Sequence, residues 1–143
     1  MTRNLRSRSP LLAAALAAVA IPVGAEAASA ATVHVFGPTH PKVDKNFAVG
    51  ASGTTGKRRV LQVTIHRHGK CKANYGADKQ SGSFIAFARF VGPGEYSERR
   101  SKLHFSEKTN GHYCAYLGNP SDLQTDPPVA RDSKHFQVVE AQR

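Results

Sequence analysis

The residues best equipped for chemistry in this chain are paired histidines and clustered cations. His66 and His68 stand two apart in a stretch with strand character, so both imidazoles are expected on the same side. Such a pair can offer two nitrogens to Zn2+ or Cu2+, which makes His66 and His68 the candidate metal ligands. Arg67 between them, with Lys70 and Lys72 nearby, opposes a dication. The plainer expectation is therefore two solvated strand-face histidines and no cofactor. His104 and His112 could also approach one another across the fold.

Hydrolytic chemistry finds less support. Ser, His and Asp are plentiful, yet no Gly-x-Ser-x-Gly elbow or His-Glu-x-x-His motif occurs. Glu95 and Glu98 are the nearest carboxylate pair, and beside Arg99 and Arg100 they read as a solvated turn rather than as a general acid and base. The expectation is a non-enzymatic protein, with a small secreted enzyme as the remote alternative.

The cations are the better lead. The chain carries a formal net charge of +10. Lys57, Arg58 and Arg59 lie at one end of an expected strand, and Arg67, Lys70 and Lys72 at the other. Arg99, Arg100 and Lys102 form a third group, with Arg100, Lys102 and His104 expected on one strand face. A field of this sign attracts phosphate-rich envelope polymers, acidic glycans, anionic lipid surfaces and released DNA. No aromatic platforms alternate with the cations and no base-reading motif is present, so specific nucleic-acid recognition is not expected. The same charges also keep a small domain soluble and blunt its sheet edges. Another extracellular protein is the remaining class of partner, and no oligomeric state is specified.

An extracellular setting follows from residues 1–30. Arg3, Arg6 and Arg8 precede an uncharged run from Leu11 to Val23, and small residues follow, which is the order of a secretory signal. The apolar run is short of the roughly 20 residues that span a bilayer. Ala25-Glu26-Ala27 and Ala28-Ser29-Ala30 are possible cleavage sites, and cleavage is expected after Ala30. Ser7 separates Arg6 from Arg8, which favours the general secretory route over a twin-arginine one. The protein is thus expected to be secreted, with residues 31–143 as one domain and no membrane span after cleavage. That domain carries 17 Lys and Arg against 9 Asp and Glu, a net charge of +8. Its two cysteines, Cys71 and Cys114, reach an oxidising compartment and are expected to form one disulfide. Closing a loop of 42 intervening residues stabilises a fold by roughly 4 kcal/mol on a chain-entropy basis.

The positioning elements read as short strands. Val, Ile, Phe, Tyr and Thr recur in runs broken by Gly, Pro, Asn and Ser, with no convincing helical period. Strands are expected at 32–36, 46–54, 59–68, 83–91, 99–106, 112–117 and 129–139. Leu61, Val63 and Ile65 alternate with Gln62, Thr64 and His66, and Ser101, Leu103 and Phe105 are expected to face inward. Gly69 to Gly82 reads as a polar loop carrying Cys71. Tyr75 and Tyr96, in the longer loops, could contact a partner or pack over a core edge. The Pro-rich loop Gly118–Pro128 is a stiff candidate recognition surface. About seven strands with regular turn signals point to an all-β, two-sheet antiparallel sandwich.

The opening Val33-His34-Val35-Phe36-Gly37-Pro38, then Lys45-Asn46-Phe47-Ala48-Val49, Gly111-His112-Tyr113-Cys114-Ala115-Tyr116-Leu117 and Pro128-Val129-Ala130 with Phe136-Gln137-Val138-Val139 carry a resemblance. Together they resemble the small immunoglobulin-like sandwich domains exported by bacteria with Ala-rich signals. The resemblance implies that the third and sixth strands are neighbours, so that Cys71–Cys114 ties the loop after strand three to strand six within one sheet. The chain departs from the antibody-type pattern in having no Trp, in placing Cys71 after the third strand, and in setting Tyr113 directly before Cys114. A sandwich by itself implies no particular activity.

Overall fold

Each expected run of alternating apolar residues forms a strand in the computed structural model, which describes residues 30–120 and 127–141. The strands are β1 (Thr32–Phe36), β2 (Phe47–Thr55), β3 (Arg59–Arg67), β4 (Phe84–Val91), β5 (Gly94–Leu103), β6 (Asn110–Gly118) and β7 (Ala130–Gln137). The expected signal at 1–30 lies, but for Ala30, outside the described residues, as do residues 121–126 of the Pro-rich loop. No helix among the described residues is long and apolar enough to cross a membrane.

Two antiparallel sheets face each other, one ordered β1-β2-β5 and the other β4-β3-β6-β7. This is an immunoglobulin-like sandwich with β4 added beside β3. The core lies between the sheets and is built from the residues whose alternation announced it. Val49 and Ala51 of β2 meet Leu61 and Val63 of β3 and Ala115 and Leu117 of β6, all removed from solvent. At one end no Trp is needed, because an aromatic stack fills the space. Phe47 stacks on Phe105 at 5.2 Å, Phe105 on Phe136 at 5.1 Å and Phe136 on Tyr113 at 4.7 Å between ring centroids. The buried Tyr113 hydroxyl donates to the Pro38 carbonyl at 2.8 Å, pinning β6 to the loop after β1.

Cys71 and Cys114 are disulfide-bonded, with Cα atoms 5.7 Å apart. β3 and β6 are hydrogen-bonded neighbours, so the bridge ties the connection after β3 to β6, as the resemblance implied. At their junction Gly111 is required. A Cβ there would sit 1.9 Å from the His66 carbonyl oxygen, closer than any side chain can approach.

Three features differ from the sequence reading. The connection from Gly69 to Gly82 is not only a polar loop, because it holds a short helix, α1 (Tyr75–Gln80). Asn74 caps it by accepting the Ala77 N–H at 2.8 Å. This segment lies over the outer face of β3 and β6, so Gln62, Thr64 and His66 are buried although they point away from the sheet interface. Tyr75 packs inward against Tyr116, with ring centroids 6.4 Å apart, and Tyr96 is also buried.

The third difference is a bulge in β5. Val49 pairs with Arg100 while Phe47 pairs with Leu103, so β5 carries one extra residue there, and Lys102 adopts φ 60. The bulge shifts the alternation. Tyr96, Glu98 and Arg100 sit opposite the inward-facing Gly53, Ala51 and Val49, and Leu103 and Phe105 resume the inward side beyond it. Ser101, expected inward, is exposed.

Candidate functional site

The structure does not gather the basic residues into one patch. β3 is nine residues long, so Lys57, Arg58 and Arg59 lie about 26 Å from the cations at its other end. Arg58 stacks over Phe90, 3.9 Å from the ring centre, and Arg59 is held by Thr55 and Asn119. Lys70 and Lys72 line a groove of about 450 Å³ on the outer face of the larger sheet, together with His112, Tyr116, Arg131 and Asp132. Arg99 is exposed on the outward side of β5, opposite Gly50.

Arg67, Arg100 and Lys102 do come together. With His104 they ring a cleft of about 270 Å³ at the open side of the sandwich, where β4 and β5 are the edges of opposite sheets. Phe47, Phe84 and Phe105 form its apolar walls. The bulge in β5 turns Arg100 toward the gap, and a second irregularity in β4 between Ile85 and Phe87 exposes the Ala86 carbonyl to it. Arg100 donates to that carbonyl at 2.9 Å and lies 5.6 Å from the Phe84 ring centre. Arg67 lies 5.9 Å from the Phe105 ring centre. Both distances allow cation–π attraction, which holds the guanidinium groups against the rings while leaving donors free. No acidic side chain lines the cleft, and among the described residues none of its four cationic or titratable groups is in an ion pair. Farther along the same edge, Arg89 and Glu98 close the gap with an ion pair at 2.7 Å.

His66 and His68 line one groove with Ser81 and Ser83, but their surroundings differ from the expected two solvated strand-face histidines. β3 ends at Arg67 and His68 turns into the left-handed region at φ 62, exposed to solvent. His66 is 8% exposed and serves a buried cluster instead. Its Nδ1 lies 3.0 Å from Asp78 Oδ1 and 2.7 Å from Ser83 Oγ. Asp78, wholly buried, also accepts from the Thr64 hydroxyl and from the Lys72 backbone N–H at 3.2 Å. Ser, His and Asp thus meet, but not as a catalytic relay. A relay places the carboxylate on one imidazole nitrogen and the nucleophile on the other, whereas here both face Nδ1. On the far side, a Cβ added to Gly69 would come 3.1 Å from Nε2. The cluster clamps the 69–83 connection to the sheet.

Burial shapes the tyrosines around this clamp. Desolvation pushes the Tyr116 hydroxyl well above its ordinary range, reinforced by the negative Asp78, while the hydroxyl donates to the Lys72 carbonyl at 3.0 Å. Burial likewise raises Tyr75 and Tyr113, and lifts Tyr96 to about 12. His104 and His112 are not brought together either. His104 lines the lateral cleft, whereas His112 lies beside the outer groove with its Nδ1 2.6 Å from the Gly69 carbonyl. Asp78, Ser83 and Arg131 were not foreseen. Asn74 followed by an acidic residue in the next turn is a helix-start signal that could have flagged α1 and Asp78.

No family model matches the chain, and no curated protein matches it. Among solved structures it is similar to the PKD domain of an M14-like peptidase from a Thermoplasmatales archaeon, at 12% identity and a TM-score of 0.42, covering 78% of this chain and 96% of that one. It is also similar to part of a β-glucosidase from Listeria innocua, at 9% identity and a TM-score of 0.38, covering 76% of this chain but 16% of the enzyme. A β-glucosidase from Kluyveromyces marxianus gives 13% identity and a TM-score of 0.38, with 77% of this chain and 14% of the enzyme covered. Likeness at this level says nothing about activity.

Proposed function

We infer that the protein is an extracellular, non-catalytic binding module for anionic polymers of the cell envelope or its surroundings. The observation that carries this reading is the lateral cleft: Arg67, Arg100, Lys102 and His104 around aromatic walls with no acidic residue lining it. Cations so placed repel one another, and an anion entering the cleft relieves that repulsion. The aromatic walls add an apolar contact for the body of the ligand, as a sugar ring or an acyl-bearing unit would use. The signal-like leader and the disulfide support an exported setting. The scattered cations elsewhere supply long-range attraction rather than a defined site.

The test is co-sedimentation of the disulfide-bonded protein with envelope material at about 50 and about 500 mM salt, since screening shortens the reach of surface charges between these conditions. Retention at low salt, release at high salt, and loss of retention in an Arg67→Ala/Lys102→Ala variant are expected. Retention that ignores both salt and the double substitution would place the contact elsewhere and point to a protein partner.

A further inference from the structure

We propose that His112 and His135 form a two-imidazole site for Cu2+, with Zn2+ as a weaker occupant, on the outer face of the four-stranded sheet. The two residues are direct partners in the β6–β7 register, so their side chains leave the same face side by side. Their ring centroids are 5.2 Å apart.

The tautomer of His112 is fixed by its neighbour. Nδ1 lies 2.6 Å from the Gly69 carbonyl oxygen, which can only accept, so Nδ1 carries the hydrogen and Nε2 presents its lone pair. A backbone carbonyl on the far nitrogen is the arrangement that orients metal-binding imidazoles and raises their basicity. Gly69 is itself held in place. His68 donates its backbone N–H to the Asn110 carbonyl at 2.8 Å on one side, and the Cys71–Cys114 bridge follows on the other.

His135 is exposed, and among the described residues neither of its ring nitrogens has a hydrogen-bond partner. It is free to rotate until its nitrogen and Nε2 of His112 both reach the metal–nitrogen distance of about 2.0–2.1 Å. His66 is the partner of His112 on β3, but it is buried and its Nε2 faces Gly69, where an added Cβ would come 3.1 Å from it. The site therefore has two protein ligands, and no group of three or more His, Cys, Asp or Glu side chains suited to a metal occurs among the described residues. Two imidazoles with open positions favour Cu2+ over Zn2+ by the usual order of divalent affinities. Lys70 and Arg131 in the adjoining groove oppose a dication, which keeps the site weak and exchangeable.

Calorimetric titration of the full chain with CuCl2, ZnCl2 and MgCl2, with Cu2+ electron paramagnetic resonance, tests the site. Expected are one Cu2+ per chain with two imidazole nitrogens in its spectrum, weaker Zn2+ and no Mg2+ binding. His112→Ala or His135→Ala should each lower Cu2+ affinity about tenfold or more and leave one imidazole in the spectrum. His68→Ala and His34→Ala should change neither. His135 is exposed, so its substitution leaves the fold intact and keeps the test sharp. Cu2+ binding unchanged in His135→Ala, or lost in His68→Ala or His34→Ala, would overturn the proposal.

Discussion

Replacing Asp78 by alanine should unfold the clamp over the outer sheet and cost about 3 kcal/mol of global stability. The carboxylate is wholly buried and receives the Thr64 hydroxyl, His66 Nδ1 at 3.0 Å and the Lys72 N–H at 3.2 Å. Removing it leaves buried donors without an acceptor, at about 1–3 kcal/mol each. Two recoveries limit the sum. Lys72 is exposed, so its N–H can turn to water, and His66 keeps Ser83 at 2.7 Å. What remains is chiefly the buried Thr64 hydroxyl left without its acceptor, at the upper end of that range of about 1–3 kcal/mol. For a domain of this size that is a fall in Tm of about 10–20 °C. Asp78→Asn keeps one acceptor oxygen and should cost about half as much. Thermal and urea unfolding of the oxidised protein measure both, and hydrogen exchange should show the largest loss of protection at residues 69–83. A loss under about 1 kcal/mol for Asp78→Ala, or an Asn variant as damaged as the Ala variant, would refute the clamp.

Removing the disulfide as Cys71→Ala/Cys114→Ala should lower stability by roughly 4 kcal/mol in denaturant titrations, the chain-entropy value for this loop length. Stability should also fall above pH 10. Tyr96 ionises near 12 in the fold against 10.0 in the open chain, and burial raises Tyr113 and Tyr116 as well. A folded pKa above the unfolded one means that the native state holds the proton longer, so stability is full below pH 10 and is lost as pH rises toward 12. Tyrosinate absorbance followed with Tm against pH checks this, and Tyr96→Phe should flatten the decline. Lys102→Gly should raise stability by about 1 kcal/mol by relieving the left-handed backbone at φ 60, yet weaken low-salt retention on envelope material. Equal or lower Tm in that variant would remove strain as a property of the bulge.

The strands could be read from the sequence because their cause is local. Leu61, Val63 and Ile65 repeat with a period of two and a glycine-bearing turn precedes them, so both element and inward face follow from neighbouring residues alone. The outer face of the same strand could not be read this way. Gln62, Thr64 and His66 are the polar half of an alternation that normally means water, and they are buried here because residues 69–83 fold back over them. That return depends on Asp78, whose partners Thr64 and His66 lie on β3, and on Cys71, whose partner Cys114 lies on β6. The bulge at Lys102 hides in the same manner. An unbroken alternation through Ser101 is the simplest reading of 99–106, and one inserted residue turns Arg100 from the solvent face to the gap between the sheets. The lateral cleft therefore depends on the place where the strand breaks its own pattern. Composition supplies the cations, but register decides that Arg67, Arg100 and Lys102 meet while Lys57, Arg58 and Arg59 stay at the far end of the sandwich. The same holds for His112 and His135, which lie far apart in sequence and become neighbours solely through the pairing of β6 with β7.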